Sequence, residues 1–299
     1  MAGRGTSPRL VIDRDDTDRR DIAHRLAAAG IGAEPIRTDR LQFGRLAVRL
    51  GDGAGFVKLA QGSFAVAQAR REAVAYAAPP PRPPFIRPAL LGFHDGGDWA
   101  ALWLSHADGA PQSPWRSLLV RAGPFEGEAG ADGKSVVRPL SAVLAGMVPE
   151  GDVPSGFIAY CRALLDRDGD CPVACRRAHG DFIYWNVLRR RAAPPVLIDF
   201  EYCVTDAPLG HDRLYWTAVP LLRRAAAIGG DGVVARIAQW FVRFTGERHR
   251  AALFLLHLGR RLELEQAAAA TLGDLASPEF LRRVRLLALL DRLMRDINP

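Results

Sequence analysis

The feature that most constrains the fold of this chain is a change in the spacing of its apolar residues near Ser105. Before this point, short segments alternate apolar and polar residues between glycine-rich turns, which is typical of a small antiparallel sheet. Beyond it, apolar residues recur mostly with helical spacing. The sequence therefore predicts an α+β fold of two lobes: a small β-sheet lobe with one helix in residues 1–105, and a larger, mainly helical lobe in residues 106–299.

The first lobe is predicted to begin with a flexible tail, residues 1–18, which is rich in arginine, aspartate and glycine. A helix is predicted over Asp18–Ala29, where apolar residues share one face and Gly30 ends the pattern. The alanine-rich segment Ala65–Ala77 is predicted to be helical as well. Strands are predicted over four segments: Leu41–Leu50, Gly55–Ala60, Ala89–Phe93 and Trp99–Leu104.

The second lobe is predicted to contain helices and two strand-like pieces. The glycine- and acid-rich segment Gly123–Lys134 is predicted to be a mobile surface loop. The strand-like pieces, Val173–Ala178 and Pro195–Phe200, bracket a loop, and their length and the turn at Arg189–Pro195 suggest that they pair. Helices are predicted over Pro139–Met147, over Gly156–Asp166 and from Asp212 to the end of the chain.

Three short polar side chains stand around the strand-like pieces: Asp181 and Asn186 between them, and Asp199 near the end of the second. If the two pieces pair, these side chains converge on one point. Carboxylate and amide oxygens are the ligands that Mg²⁺ prefers, and the ion keeps positions open for phosphate oxygens. Each residue alone is more often a turn or capping residue. Together they indicate phosphoryl transfer, which needs a base, a metal ion and a cation on the phosphates.

The order of residues in this region also carries a family resemblance. Histidine, any residue and aspartate, with asparagine five residues after the aspartate and a later Asp-Phe behind apolar residues, resembles the catalytic and metal loops of kinases. The variant His-Gly-Asp-Phe with Trp-Asn, followed by Ile-Asp-Phe-Glu, resembles the aminoglycoside phosphotransferase and choline kinase-like superfamily, which has a bilobal protein kinase-like fold.

The resemblance implies roles for individual residues. Asp181 would be the catalytic base, His179 would support the loop, and Asn186 and Asp199 would bind Mg²⁺. ATP or GTP would be the cosubstrate, held by the first lobe, and the second lobe would bind the acceptor. Asp212 matches the family aspartate that buttresses the catalytic loop, a role that is compatible with capping the following helix.

Candidate residues for the nucleotide side lie in the first lobe. Lys58 is one of only two lysines in the chain, and Glu72 lies on the helix that follows it. Kinases hold such a lysine on the phosphates with a carboxylate partner, so we expect the two to pair; the alternative is a solvated strand residue and an exposed helix charge. Gly44 would let the backbone approach a phosphate or would mark a strand bulge.

Two further segments are candidates for binding. By resemblance, the backbone of Ser105, His106 and Ala107 would form the hinge that contacts the purine ring. Tyr184 and Trp185 lie inside the catalytic loop, where either could stack on a substrate ring, although packing into the core is the commoner fate of such a tryptophan.

The net charge of +7 is carried almost wholly by arginine. The basic residues are scattered and not interleaved with aromatic residues, which supports nucleic-acid binding only weakly, and a cationic surface also fits an anionic nucleotide. The acids Glu263 and Glu265 are two residues apart on a predicted helix and do not face the same way. We therefore expect a neutral or anionic acceptor, such as a sugar, rather than a polycation.

The remaining composition fits an intracellular enzyme of undetermined oligomeric state. Cys171 and Cys175 have no second Cys/His pair nearby, so buried thiols are favoured over a zinc site. No apolar run is long enough to span a bilayer, and Met1–Arg9 lacks the apolar stretch of a secretory signal, so a cytoplasmic location is expected.

The sequence thus predicts a kinase that transfers the γ-phosphoryl group of ATP or GTP to a hydroxyl of a small molecule, such as a sugar or sugar-containing intermediate. Two alternatives stay open: an aminoglycoside O-phosphotransferase, and a catalytically silent nucleotide-binding pseudokinase. The presence of a complete set of catalytic candidates favours an enzyme.

Overall fold

The structure is a computed structural model that describes residues 16–51, 53–81, 84–112, 125, 135–147, 155–228, 235–237, 239–240, 243, 248–273, 275 and 277–297. The predicted flexible tail lies almost wholly outside these residues, and so does the predicted loop Gly123–Lys134 apart from Phe125. Among the described residues, no helix is both long enough and apolar enough to cross a bilayer.

Five antiparallel strands form the sheet of the first lobe, as the α+β prediction requires. The strands are β1 (Pro35–Arg40), β2 (Arg45–Leu50), β3 (Phe56–Gln61), β4 (Leu90–Asp95) and β5 (Trp99–Leu104). Their order is β1-β2-β3-β5-β4, so β3 is the central strand. Lys58 lies in its middle, paired with Ala47 on one side and Leu102 on the other.

The predicted strand over Leu41–Leu50 is wrong at its beginning. The strand starts at Arg45, and before it Phe43 and Gly44 have positive φ angles of 61° and 74° in the turn between β1 and β2. The strand on the other side of this turn, β1, escapes prediction because Pro-Ile-Arg-Thr-Asp-Arg has no apolar alternation. Its one large apolar side chain, Ile36, is 62% exposed.

Two helices cover the sheet, and the sequence predicts both, over Asp18–Ala29 and Ala65–Ala77. The helices of the chain with bounds in the structure are α1 (Asp16–Ala28), α2 (Ser63–Ala77), α3 (Leu140–Met147), α4 (Ser155–Asp168), α5 (His211–Ile228), α6 (Arg248–Thr271) and α7 (Pro278–Ile297). Ile22 of α1 packs in one cluster with Val57, whereas Ala65 of α2 packs with Ala60. Because side chains alternate along a strand, Lys58 shares the face of Ala60 and points toward α2.

The second lobe contains two small sheets besides its helices. One has the order β10-β9-β6, and the other has the order β11-β8-β7. The strands are β6 (Ala110–Pro111), β7 (Val136–Pro139), β8 (Pro172–Ala178), β9 (Val187–Arg190), β10 (Ala193–Leu197) and β11 (Val204–Pro208). The mainly helical character of this lobe is confirmed, although the sequence indicates only two of the six strands.

The predicted pairing of Val173–Ala178 with Pro195–Phe200 is wrong. Strand β8 pairs with β7 and β11, and strand β10 pairs with β9 in a hairpin. The turn of that hairpin contains Ala192 at a φ of 55°. A short hairpin brings neighbouring segments together at a small entropic cost, so β10 pairs with its nearest neighbour in sequence.

One apolar core runs from the sheet into the helical lobe. It joins Leu102 and Leu104 of β5 with Phe200, with Tyr215 and with the buried residues of α6. Every residue of α6 from Ala251 to Arg260 is buried, so this part of the helix lies within the core. None of the four cysteines, all of which the structure describes, forms a disulfide, and Cys175 alone among them is buried, so the prediction of buried thiols holds only in part.

The tight backbone contact at Gly180 gives a first prediction. Gly180 has a φ of 76°, and a Cβ there would lie 1.8 Å from the Tyr202 carbonyl oxygen. Gly169 is a matched control with a φ of 65° and nothing within 4 Å of its Cβ position. Gly169→Ala should lower the free energy of unfolding by about 1–2 kcal/mol, the strain of a left-handed residue. Gly180→Ala should lower it by more than about 4 kcal/mol, because backbone must also move.

Urea denaturation of both variants measures the difference. Equal losses for Gly180→Ala and Gly169→Ala would contradict the close approach of the loop at Gly180 to Tyr202.

Candidate active site

The central contact of the candidate site joins Lys58 to two carboxylates. The Lys58 Nζ lies 2.7 Å and 2.9 Å from the two carboxylate oxygens of Glu72, and 2.6 Å from Oδ1 of Asp199. Burial alone would lower the pKa of Lys58, but Asp199 and Glu72 together raise it above its usual value. The predicted Lys58–Glu72 pair is therefore present in the structure, and it reaches a third predicted residue in the other lobe.

Asp199 lies just beyond β10 in a left-handed conformation with a φ of 71°. Such a conformation is uncommon outside glycine, asparagine and aspartate, and it concentrates at functional sites. Burial would raise the pKa of the Asp199 carboxyl, but Lys58 and Arg45 outweigh it and lower the pKa to about 2. Arg45 also pairs with the nearly buried Glu201. Neither Arg45 nor Glu201 was singled out as a site residue by the sequence.

The catalytic-loop candidates converge although the strands predicted to bring them together do not pair. The Asn186 Nδ2 donates to the Asp181 carbonyl oxygen at 2.9 Å and to its Oδ2 at 3.1 Å. The backbone N–H of Ile198 donates to the Asn186 carbonyl at 3.0 Å, which joins the loop to the segment that leads into Asp199. These direct contacts within and next to the loop, rather than the predicted strand pairing, bring Asp181, Asn186 and Asp199 together.

His179 is fully buried under this loop. Its Nε2 lies 2.9 Å from the Ile198 carbonyl oxygen, and its Nδ1 accepts the Asp181 backbone N–H at 3.3 Å. A ring nitrogen that accepts carries no proton, so the neutral tautomer with hydrogen on Nε2 satisfies both contacts. Burial lowers the pKa of His179, which agrees with a neutral ring. The geometry is that of a residue that holds the loop in place.

Asp212 also holds this loop in place, through hydrogen bonds to its backbone. Its Oδ2 accepts the His179 backbone N–H at 2.9 Å, and its Oδ1 accepts the Gly180 N–H at 3.1 Å. Asp212 is the second residue of α5 and so does not cap that helix. The side chain thus lies where a buttress of the loop is expected.

Arg261 of α6 is a site residue that the sequence did not indicate. Its Nη1 lies 2.7 Å from Oδ1 of Asp181, and its Nε lies 2.8 Å from Oε1 of Glu265. The guanidinium also stacks over the Tyr202 ring, 3.7 Å from its centroid. The one sequence signal was the spacing of Arg261 and Glu265, which places them one helical turn apart. Nothing in the sequence links this pair to Asp181.

A cleft of about 530 Å³ lies beside these residues, and Glu201, Arg261 and Glu265 are part of its lining. Around it are Asp181 and Asp199, the turn residues Gln42 and Phe43, and side chains of α5, α6 and α7. Trp185 also lines the cleft; it is half-buried and packs against the apolar core, so the expectation of core packing holds in part.

The other residues predicted to contact the nucleotide, at Gly44 and in the segment from Ser105 to Ala107, agree less well with the structure. At Gly44 a Cβ would lie 2.7 Å from the Gln61 carbonyl oxygen, so this glycine serves a close approach to β3. The Ser105 N–H already donates to the Ala89 carbonyl at 2.9 Å, which removes it as a donor to a purine. The His106 ring pairs with Asp108 at 2.8 Å. A purine contact through the remaining backbone of Ser105, His106 and Ala107 stays a prediction.

The donor set fits a divalent cation. Because Asn186 uses its Nδ2 toward Asp181, its side-chain carbonyl oxygen is the atom left for a metal. Carboxylate oxygens of Glu72, Asp199 and Glu201 all lie within 4.8 Å of one another. Hard oxygen donors of this kind are suited to Mg²⁺, so Asn186 and Asp199 could hold the ion, with Glu201 as an additional candidate.

Comparison with solved structures supports the fold. The chain is similar to the crystal structure of aminoglycoside phosphotransferase APH(4)-Ia, with 14% identity, a TM-score of 0.55, and coverage of 92% of this chain and 99% of that chain. A thermostable mutant of that enzyme in ternary complex with ADP and hygromycin B gives 14% identity and a TM-score of 0.52, with coverage of 90% and 97%. No family model and no curated protein matches the chain. At this identity the likeness shows the bilobal kinase-like fold, which the loop motifs led us to expect.

The contacts of Asp212 predict its effect on stability. Replacing Asp212 with alanine leaves two buried backbone N–H groups without this acceptor, which should lower the free energy of unfolding by about 2–4 kcal/mol. Asp212→Asn should lose nearly as much, because an amide offers one acceptor oxygen where two are used. Denaturant unfolding measures both.

Asp170 provides the control, since its exposed carboxylate also accepts a backbone N–H, from Ser141 at 2.8 Å. Asp170→Asn should cost less than about 1 kcal/mol. If Asp212→Ala were no worse than Asp170→Asn, Asp212 would not buttress the loop.

Proposed function

We propose that this chain is a small-molecule kinase that transfers the γ-phosphoryl group of ATP or GTP to a hydroxyl group of a small acceptor. One observation carries the proposal: Lys58 and Asp199, 141 residues apart in sequence, meet at 2.6 Å beside the loop of Asp181 and Asn186. A cation, hard oxygen ligands and a carboxylate base around one cleft are the parts that phosphoryl transfer requires. The kinase-like fold supports the same conclusion.

On the nucleotide side, Lys58 would contact the phosphates and Glu72 would hold its ammonium group in place. The Lys58 side chain reaches from β3 to Asp199. A phosphate in contact with its ammonium group would therefore lie near Asn186 and Asp199, the candidate metal ligands. Mg²⁺, when bound at Asn186 and Asp199, would neutralise phosphate charge and orient the triphosphate.

On the acceptor side, Asp181 would orient the attacking hydroxyl and accept its proton. The oxygen–phosphorus bond to the acceptor forms as the bond to the leaving nucleoside diphosphate breaks. Arg261 and Asn186 contact the two carboxylate oxygens of Asp181 and fix the orientation of the group. A base held in position from both sides reduces the entropy lost in reaching the transition state.

The acceptor we propose is a sugar or a sugar-containing intermediate, because the arginine-rich chain is poorly suited to a polycation. An aminoglycoside is the second candidate, supported by the fold likeness to an enzyme whose crystals contain hygromycin B. The direct test incubates purified protein with Mg²⁺ and ATP or GTP and measures γ-phosphoryl transfer to sugars, nucleosides, amino alcohols and aminoglycosides. Absence of nucleotide binding together with absence of transfer would overturn the proposal.

The role of Asp181 predicts a loss of transfer without a loss of nucleotide binding. Asp181→Asn should leave the affinity for magnesium nucleotide within about threefold and lower kcat by roughly 10²–10⁴-fold, the usual contribution of a positioned base. Calorimetry and a transfer assay measure the two effects separately. A variant that turns over within a few-fold of the parent chain would show that another group is the base.

The role of Asp199 predicts the opposite pattern. Asp199→Asn keeps a residue that tolerates the left-handed conformation but removes the negative charge beside Lys58. Affinity for nucleotide in the presence of Mg²⁺ should fall by about tenfold or more, whereas affinity without Mg²⁺ should not fall, because Lys58 loses a competing carboxylate. Asp206→Asn is the control, because Asp206 pairs with Arg138 outside the cleft. Unchanged magnesium dependence in Asp199→Asn would place the metal elsewhere.

A further inference from the structure

The part of the cleft formed by the helical lobe is lined by arginines on three helices. They are Arg223 on α5, Arg261 on α6, and Arg282, Arg283 and Arg285 on α7. We propose that the acceptor carries an oxyanion, a carboxylate or phosphate group, and that Arg223 and Arg285 bind it. This inference rests on the proposed kinase function and specifies the chemical class of its acceptor.

Three of these arginines already form ion pairs with carboxylates. Arg261 pairs with Asp181 and Glu265, and Arg283 pairs with Glu265 through a contact of 2.8 Å. The Arg282 guanidinium lies 3.4 Å from Glu279. Their charges are therefore largely balanced by the protein itself and leave little for a ligand.

Arg223 and Arg285 differ from the other three. In the part of the chain that the structure describes, neither makes an ion pair within 4.0 Å, and both side chains are exposed to the cleft. Protein surrounds the Arg223 side chain closely enough that partial loss of water lowers its pKa. A cation that faces a cleft without a carboxylate partner attracts an anion, and arginine offers a planar pair of donors to carboxylate and phosphate.

Arg223 is also held in one position. Its guanidinium lies over the Trp185 ring, 4.6 Å from the centroid, and Trp185 directly precedes Asn186 in the catalytic loop. This stacking places the charge on the same side of the cleft as Asp181, where the acceptor would lie. A cation that is already oriented loses little entropy when it binds a ligand.

A cationic acceptor would find no equivalent partner among the cleft residues that the structure describes. Each carboxylate among them already contacts a basic side chain: Asp181 with Arg261, Asp199 with Lys58, Glu201 with Arg45, Glu265 with Arg261 and Arg283, and Glu279 with Arg282. The Trp185 face, which could otherwise stack against an ammonium group, is covered by Arg223. The local charges therefore favour an anionic acceptor over an aminoglycoside.

The first experiment measures anion binding without the need for the true acceptor. Sulfate is titrated into the full chain saturated with Mg²⁺ and AMP-PNP, so that the positions of the nucleotide phosphates are filled, and binding is followed by calorimetry. Arg223→Gln and Arg285→Gln are compared with Arg224→Gln, an exposed neighbour on α5 that does not line the cleft. Each cleft variant should weaken sulfate binding by about tenfold, equivalent to ~1.4 kcal/mol, and the control should stay within about twofold.

The outcomes separate this inference from the proposed function. If AMP-PNP fails to bind, the kinase proposal fails, and the same sulfate titration on the nucleotide-free variants still tests the anion site. If the original chain shows no saturable sulfate binding, or if the double variant Arg223→Gln/Arg285→Gln binds as well as the control, the anion site is excluded.

The second experiment uses matched acceptors that differ in charge: glucose, glucuronate, glucose 6-phosphate and glucosamine. We expect kcat/KM to be higher for the two anionic sugars than for glucose and glucosamine, and Arg223→Gln to reduce the ratio of kcat/KM for glucuronate to that for glucose by about tenfold. A preference for glucosamine or for kanamycin-type compounds that Arg223→Gln leaves unchanged would overturn the inference. If no sugar in the panel reacts, the sulfate titration decides.

Discussion

The contact of Lys58 with Glu72 and Asp199 is the interaction on which the arrangement of the cleft depends. It joins the central strand β3 and the next helix, α2, to the segment after β10, where Asp199 lies 141 residues from Lys58 in sequence. A buried ammonium group is stable only when it is paired, and removing it would leave two carboxylates facing each other without compensation. The geometry of the nucleotide side is therefore fixed by a charge balance as much as by apolar packing.

In the rest of the cleft, arginine rather than lysine balances the charge of the carboxylates. The chain has only two lysines, and one of them is used where two carboxylates converge. Lys58 is a compact charge that serves two carboxylates converging on a single point. Arg261 instead bridges Asp181 and Glu265 with different nitrogens of its planar group and stacks on Tyr202. Such a fork keeps two carboxylates apart and in fixed directions, a task for which lysine is poorly suited.

The sequence predicts the parts of the site that are local and fails where the structure depends on long-range contacts. The loop from His179 to Asn186 and the acidic segment at Asp199 were recognisable because their residues are close together in sequence. The strand β1 was not, since its packing surface is small, and the pairing of β8 was assigned to the wrong strand. Arg261 and Arg223 were not recognised as site residues because the chain contains many arginines. Their relevance depends on the helices that place them beside the loop from His179 to Asn186.

The distribution of charge within the cleft connects these observations. At the end formed by the sheet, the carboxylates of Glu72, Asp199 and Glu201 face two cations, Lys58 and Arg45. An anionic triphosphate can enter such a site only with a divalent cation, which is the form in which kinases use nucleotides. At the helical end the balance is reversed, because five arginines face the carboxylates of Asp181, Glu265 and Glu279. A cleft that is negative where the metal would bind and positive where the acceptor would bind is matched to two ligands of different kinds: a metal–nucleotide complex and an anion whose hydroxyl group is brought to Asp181.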